Sequence, residues 1–476
     1  MADCIAGGVG RSVPPVENAV RLSFDRGTVL CRGENASIKL SALPGVLWDP
    51  RVGAYRAPAR RYFEIRAAID ALRVRVVVDV GSQTPSPAPW ANVDLRPYQE
   101  TALDAWAFAD RRGVVVLPTG AGKTHLAVAA MARSGLRSIC LVPTRALLDQ
   151  WMRVIATLYS GPVGCFGDGE RRLHPVTVST FESAYRHMDR IGNQFDLVIV
   201  DEAHHFGCGL RDEALEMTTA PARLGLTATP VRDGVASTRL AELVGPVVFE
   251  LGISDLAGSF LAPFEVIKLY LQLIPEERRD YDQWRSLYRD LFMRFLRLHP
   301  GAAWETFLRA AARTDEGRRA ISAWSRARRL LNYPEGKRRA LGGLLERHRA
   351  QRVLVFVGDN ETAYAVSREH FIMPLTCDIG RKERLDVLER FSNGKLRALV
   401  SAQVLNEGID VPDADVGIVV AGRLGEREHV QRVGRLLRPG EGKRALVYEM
   451  VVRDTAEVRQ AARRAGGLAS RNHPSP

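Results

Sequence analysis

The sequence contains no uninterrupted run of about 18 apolar residues, so no membrane-spanning helix and no membrane partner is expected. Its six cysteines, Cys4, Cys31, Cys140, Cys165, Cys208 and Cys377, include no CxxC pair and no neighbouring histidine at ligand spacing. That spacing argues against a zinc or iron–sulfur centre and against a disulfide frame, and the cysteines read as reduced structural thiols. The opening residues MADCIAGGVG lack the basic and apolar regions of a secretory signal, which makes a cytoplasmic location the expectation. What is present is ordinary for a soluble globular chain: 46% hydrophobic and 26% charged residues over 476 positions, enough for two to four domains. The formal charge of +12 favours a polyanionic partner, although an Arg-rich, GC-biased genome would produce part of the same excess.

Along the chain, residues 1–84 carry short alternating segments (Val20–Phe24, Thr28–Cys31), a helical stretch at Tyr62–Leu72 and a Val-rich strand at Val74–Val80, the pattern of a small α+β domain. The spaced prolines of Thr84-Pro-Ser-Pro-Ala-Pro89 mark a linker over 85–92. From 93 to 251, near-continuous apolar strands (Gly113–Leu117, Ser138–Val142, Val176–Ser179, Leu197–Val200, Arg223–Leu226) alternate with helices, as in a parallel sheet covered on both faces. The pattern returns over 341–460, at Arg352–Phe356, Ala398–Ser401, Val416–Val420 and Ala445–Glu449, with a tail at 461–476. Between the two lobes, 252–340 reads as a connector and helical insert, with Leu287, Leu291, Phe295 and Leu298 on one helix face. Pro275 to Ala350 holds 17 Arg and one Lys against 10 Asp and Glu, a local balance of +8. A solvated, partly self-paired surface is the plain account of such a charge run, and a nucleic-acid grip the functional one.

Chemistry concentrates at strand ends. Pro118-Thr-Gly-Ala-Gly-Lys-Thr124 follows an apolar strand and opens a helix. Thr119, Gly120, Ala121 and Gly122 can turn backbone N–H groups toward phosphate oxygens, Lys123 adds point charge, and Thr124 can ligate magnesium. The loop lacks the first glycine of the general P-loop pattern, because Leu117 stands there. Asp201-Glu-Ala-His204 follows the strand Leu197–Val200. Asp201 can hold the metal while Glu202 orients and deprotonates water, although either acid could also cap a helix. Gly225-Leu-Thr-Ala-Thr-Pro230 offers two hydroxyls, Thr227 and Thr229, suited to relaying hydrogen bonds.

In the second half, Gln431-Arg-Val-Gly-Arg-Leu-Leu-Arg438 puts Arg435 and Arg438 on one helix face, where two guanidinium forks can address one phosphate. A basic helix facing solvent is the alternative. Within Val404-Leu-Asn-Glu-Gly-Ile-Asp410, Gly408 permits close approach and Asp410 can accept from a ribose hydroxyl.

Taken in order, these segments resemble superfamily 2 helicases of the DEAH type. Leu95-Arg-Pro-Tyr-Gln99 resembles the adenine-reading segment, with Arg96 and Gln99 on the base; Pro143-Thr144-Arg145 and Ser179-Thr180 resemble strand-contacting motifs. Asp201 to His204 resembles the DEAH box with His204 in a coupling role, Thr227 to Thr229 the coupling motif, and Gln431 to Arg438 the arginine-finger motif. The similarity extends to XPB-type DNA helicases over about residues 20 to 455. Trp48-Asp-Pro-Arg-Val-Gly-Ala-Tyr-Arg56 resembles their damage-recognition-like domain, and Asn406 to Asp415 their fifth motif. The insert Pro275–Leu331 sits where that family has a thumb. The family's Arg-Glu-Asp triplet after the TAT motif, associated with duplex opening, is replaced here by Val231-Arg232-Asp233-Gly234, without the glutamate.

The resemblance implies two tandem RecA-like parallel-sheet lobes with a small N-terminal α+β domain and a thumb-like helical insert. It further implies an ATP- and Mg2+-dependent motor acting on DNA in repair or promoter opening, and a separately encoded nuclease partner. Arg232 and Asp233 become candidate DNA contacts. Two other readings stand beside it: an RNA helicase or defence-system motor, and an ATP-gated DNA-binding clamp with little unwinding.

Overall fold

The computed structural model describes residues 19–33, 39–81, 87–167, 169–207, 209–229, 234–252, 255, 264–402, 414–421 and 445–466. The described residues fall into two compact units divided near Val248, except that Val116–Thr124 and Leu226–Pro230 group with the second.

The first unit begins with β1 (Ala19–Asp25), β2 (Thr28–Arg32), β3 (Leu47–Asp49), β4 (Ala54–Pro58), α1 (Tyr62–Ala71) and β5 (Arg75–Asp79). They form a five-stranded sheet of order β3-β4-β2-β1-β5, antiparallel except where β1 and β5 run parallel. Val20, Leu22, Val29, Cys31, Ile65 and Ile69 are fully buried between sheet and helix. This small domain leans on the larger sheet of the same unit: Arg60 Nε donates to Glu216 Oε2 at 2.7 Å, and Arg239 also pairs with Glu216. The β1–β2 turn, Arg26-Gly27, takes positive φ at both residues (47° and 73°), the twist a two-residue hairpin requires. A Cβ on Gly27 would stand 2.4 Å from Met217 Cγ. Gly27→Ala is therefore expected to destabilise the chain by about 1–3 kcal/mol, seen as a lower urea midpoint; an unchanged midpoint would mean this seam is loose.

The larger sheet of the first unit is built from α2 (Pro97–Phe108), β6 (Arg112–Val116), α3 (Lys123–Ser134), β7 (Ser138–Val142), α4 (Arg145–Leu158), β8 (Val163–Gly167), β9 (Glu170–Arg172), β10 (Val176–Thr180), α5 (Phe181–Ile191), β11 (Leu197–Asp201), α6 (Glu213–Glu216), β12 (Ala222–Thr227), α7 (Gly234–Leu243) and β13 (Val247–Glu250). Its order is β13-β6-β12-β11-β7-β10-β8-β9. β7, β10 and β11 are buried at every position; β7 and β11 therefore read as near-continuous apolar runs, while β10 buries Thr177, Ser179 and Thr180 as well. Arg223 N–H donates to Arg111 O at 2.8 Å and Leu117 N–H to Thr227 O at 2.9 Å, so β6 and β12 run parallel. The Arg223 side chain is buried, its guanidinium spread over the carbonyls of Leu215, Thr218, Ala220 and Leu243. At Pro89–Ala91 the linker is held against the larger sheet's side of the unit. Ala91 N–H donates to Leu158 O, Ser160 Oγ to Pro89 O, and Trp90 stacks on Tyr159 with ring centroids 4.5 Å apart.

The second unit carries β14 (Phe264–Leu271), α8 (Pro275–Leu298), α9 (Trp304–Ala311), α10 (Asp315–Asn332), α11 (Glu335–Arg347), β15 (Val353–Phe356), α12 (Asn360–His370), β16 (Met373–Leu375), α13 (Arg381–Ser392), β17 (Ala398–Ser401), β18 (Val416–Val419), β19 (Ala445–Val452) and α14 (Ala456–Gly466). The six strands run in the order β14-β19-β18-β15-β17-β16, every adjacent pair parallel. β14 lies inside the stretch expected to be a connector, yet it pairs with β19 over its whole length.

The insert is helical, but its packing face differs from the expected leucine stripe. Leu287 is 53% and Leu298 78% exposed. An aromatic stripe turns inward instead: Tyr281 is buried, Trp284 and Tyr288 pack with it, and Phe292 meets Trp304 and Phe307 edge-on. Broad rings one or two turns apart fill the space between helices that staggered leucines would leave open. Trp304 and Trp324 also belong to this cluster, 5.5 Å apart between centroids, so they pack against each other rather than standing out singly. Of the cysteines, Cys31, Cys140 and Cys165 are buried and not in disulfides, while Cys377 is exposed and so does not fit the structural-thiol expectation; Cys4 and Cys208 lie outside the described residues. Among the described residues, no helix is long and apolar enough to cross a membrane.

Candidate nucleotide and nucleic-acid site

The phosphate-loop candidate occupies the turn between β6 and α3. Gly120 (φ 84°) and Gly122 (φ 76°) both take left-handed backbone, which a side chain at either position would strain. Lys123 opens α3, and its ammonium donates to Leu117 O at 3.2 Å, a neutral partner that an anion could displace. Positive charge, the start of a helix and a doubly turned glycine loop thus converge on one spot.

The sheet order sets the carboxylates near by. β11, which ends in Asp201, is separated from β6 only by β12, so the two strands lie about 10 Å apart. Asp201 is 6% exposed. Its Oδ2 accepts from Trp151 Nε1 at 2.9 Å and its Oδ1 from the Glu202 N–H at 3.0 Å. Glu202 sits at φ 51°, ψ 50°, a left-handed conformation that costs a residue with a Cβ about 1–3 kcal/mol. This kink turns the chain out of the strand into the short turn Ala203–His205. The Glu202 carboxylate then lies with Oε2 buried, without a hydrogen-bond donor and 3.5 Å from His204 Nδ1. His204 and His205 pack as tilted rings, 4.5 Å between centroids. Burial and the neighbouring Asp201 charge push the Cys140 thiol up, so it is inert.

The remaining expected residues are placed as follows. Gln99 is buried at the start of α2, where its Oε1 accepts from the Arg96 N–H at 2.8 Å. Thr144 caps α4 through Leu147 N–H, and Arg145 is exposed beside it. Thr180 caps α5 through Ser183 N–H; Ser179 is fully buried, its hydroxyl donating to Thr180 O, so only neighbouring backbone and capping groups are left to face a strand. Thr227 Oγ1 donates to Thr229 O at 2.9 Å and accepts from Thr229 N–H at 3.1 Å, closing a tight turn, while the buried Thr229 Oγ1 has no partner. Arg232, Asp233, Gly408, Asp410, Gln431, Arg435 and Arg438 lie outside the described residues. Trp151 was not foreseen; the one signal was an indole at i+3 from Leu148 on α4, a buried ring whose N–H must find an acceptor.

These residues fit a nucleotide with a divalent cation: a glycine loop for phosphate, a displaceable ammonium, the buried Asp201 carboxylate held by two donors, and the partly buried Glu202, whose Oε2 has none. One such loop on the first of two successive large sheets, with carboxylates at the end of a nearby strand, is the arrangement of a helicase-type ATPase, and the comparisons narrow this further. Residues 92–232 match the family model "Type III restriction enzyme, res subunit". Residues 336–440 match "Helicase conserved C-terminal domain", and residues 22–80 match "Xeroderma pigmentosum group B helicase damage recognition domain". The chain is 35% identical to the DNA 3'-5' translocase XPB2 of Sulfurisphaera tokodaii over 88% of its own length and 96% of that protein's. It is 28% identical to the DNA 3'-5' helicase XPB of Mycobacterium tuberculosis over 80% of this chain and 64% of that one. Against a general transcription and DNA repair factor IIH helicase/translocase subunit, XPB2 of Arabidopsis thaliana, it is 27% identical over 78% of this chain and 48% of that one. The Pyrococcus furiosus Hef helicase domain shares the fold, with a TM-score of 0.51 and 18% identity over 77% of this chain and 97% of that one. The chain belongs to the XPB-type family of superfamily 2 DNA helicases.

Proposed function

We propose that the protein is an ATP-driven DNA translocase or helicase of the XPB type, working in DNA repair or promoter opening. The observation that carries this is the pair Asp201 and Glu202 at the end of β11, one strand removed from the phosphate-loop strand, with Glu202 Oε2 buried and unsatisfied. Residues 93–251 and 341–460 serve as the two motor lobes, 1–84 as the damage-recognition-like domain, 85–92 as linker, and 252–340 as connector and thumb.

Thr119 to Gly122 present backbone amides to the nucleotide phosphates, and Lys123 leaves Leu117 O to neutralise them. Thr124 and Asp201 hold the magnesium. When bound, Mg2+·ATP supplies the transferable phosphoryl group and the cation that spreads charge over its oxygens. Glu202 takes a proton from water at Oε2, the atom that no donor saturates. Arg96 and Gln99 read the base; by family likeness Gly408, Asp410, Arg435 and Arg438 also serve nucleotide binding and hydrolysis. His204, Thr227, Thr229 and Gln431 pass the state of the nucleotide to the DNA contacts Thr144, Arg145, Thr180, Arg232 and Asp233, with the buried Ser179 supporting Thr180. Contacts of this kind address phosphate and sugar, so binding is sequence-tolerant and salt-sensitive. The reading puts the protein in the compartment holding DNA, cytoplasmic where no nucleus separates it, and family likeness adds a nuclease as partner.

The absence of a glutamate between Arg232 and Asp233 favours translocation with little strand separation. The test is ATP hydrolysis without nucleic acid and with single-stranded, duplex or forked DNA, or RNA. Duplex or forked DNA is expected to stimulate most, and the stimulation to fall as salt rises from 50 to 200 mM by about 10³-fold or more in affinity. Stimulation by RNA alone would replace this reading with an RNA motor; nucleotide-dependent DNA binding with no displacement of a blocking strand would replace it with a clamp.

A further inference from the structure

The motor reading assigns Asp201 to the cation and leaves its neighbour Trp151 without a part. Trp151 lies on α4, fully buried, between Leu148 and Ile155 on the same helix face. Its indole N–H points at Asp201 Oδ2, 2.9 Å away, inside the protein. A buried indole needs an acceptor, and a backbone carbonyl satisfies it at no risk to a carboxylate's charge. Trp106, also buried in this unit, does so by donating to Arg223 O at 2.9 Å. The donor at Trp151 falls instead on a carboxylate whose other oxygen is tied by the Glu202 amide. Two donors on opposite oxygens fix the carboxylate plane and its rotation about the Cβ–Cγ bond. A donor on a buried carboxylate thus orients it before the cation arrives.

We propose that Trp151 is a positioning residue for divalent-cation binding: its indole N–H sets the orientation of the Asp201 carboxylate, and α4 thereby tunes the affinity for magnesium at the nucleotide. This rests on Asp201 being the magnesium carboxylate. Removing a group that orients a metal ligand typically costs about 10–100-fold in metal affinity.

The experiment compares wild type, Trp151→Phe, Trp106→Phe and Asp201→Asn in the full chain. Two quantities are read: the Mg2+ concentration at half-maximal ATPase, and the ratio of fluorescent-ADP affinities with Mg2+ and with EDTA. Trp151→Phe is expected to raise the Mg2+ midpoint about tenfold and to shrink the affinity ratio by about the same factor, leaving affinity in EDTA unchanged. Trp106→Phe, which removes a comparable indole donor, should leave both quantities as in wild type. An unshifted Mg2+ midpoint in folded Trp151→Phe overturns the proposal, as does an equal shift in Trp106→Phe. Should Trp151→Phe not fold, the 15N-indole resonance of Trp151 in wild type decides: it moves on adding Mg2+ with ADP but not ADP with EDTA, or the proposal is wrong. If Asp201→Asn keeps the full magnesium dependence, it is the motor reading's metal assignment that fails.

Discussion

Glu202→Gln is expected to lower ATP hydrolysis by about 10³-fold while nucleotide binding stays within about threefold of wild type. The amide replaces a proton acceptor by a group that cannot take a proton, yet it has nearly the same shape. Glu202 is already strained into the left-handed region, so a near-isosteric replacement leaves the kink and the His204 neighbour in place. The wild-type Oε2 is buried without a donor, which leaves it open to a water while costing folding free energy. Glu202→Gln should accordingly be at least as stable as wild type, and the sign of that change separates a catalytic role from a structural one. Steady-state hydrolysis, fluorescent-nucleotide binding and a urea midpoint on one preparation check all three. Hydrolysis within about tenfold of wild type would remove Glu202 from the role of general base.

How much of this was readable in advance depends on how local each feature is. β7 and β11 are short, largely apolar runs buried at every position, and their strand character needs no distant partner. The phosphate loop is legible for the same reason, since glycine spacing and the strand before it are contiguous in sequence. β14 was not legible as part of the second sheet: Phe-Glu-Val-Ile-Lys-Leu-Tyr-Leu is a plausible strand anywhere, and only pairing with β19, far downstream, assigns it. The β8–β9 hairpin was missed because Gly164 and Gly167 dilute its apolar pattern. In α8 the spacing of Leu287, Leu291, Phe295 and Leu298 did describe a stripe, but Tyr281, Trp284, Tyr288 and Phe292 describe another. Ring size and contacts with α9 and α10 decided between them. Asp201 and Glu202 were readable as a pair; that one is held and the other left unsatisfied depends on Trp151 from α4, a tertiary fact.

The largest expected loss of stability comes from a position with no part in the chemistry. Lys337→Met is expected to destabilise the second unit by about 3–5 kcal/mol. Lys337 is fully buried on α11; its ammonium donates to Leu331 O at 2.8 Å, near the end of α10, and to Glu457 Oε1 at 2.7 Å on α14. Glu457 Oε2 in turn accepts the Val452 N–H at 2.9 Å, at the end of β19. Around them Arg278 donates to the carbonyls of Arg453 and Asp454, and Tyr281 OH accepts from Ala456 N–H. The insert helices are thereby bolted to the strand that also pairs with β14, so the thumb-like element and the second sheet should move as one body. Methionine matches the lysine stem but leaves the Glu457 carboxylate buried without its counter-charge, which is where the loss arises. Lys337→Met with Glu457→Gln removes that stranded charge, so the double variant should recover about half of the loss or more. Urea unfolding followed by tryptophan fluorescence, in variants with Trp48, Trp90, Trp106 and Trp151 of the first unit replaced by Phe so that Trp284, Trp304 and Trp324 of the insert carry the signal, reports on this unit. A single-variant loss under about 1 kcal/mol would mean the pair behaves as a solvated one, and the insert would then be free to shift on the sheet. A double variant no better than Lys337→Met would place the loss in packing of the lysine stem rather than in the charge.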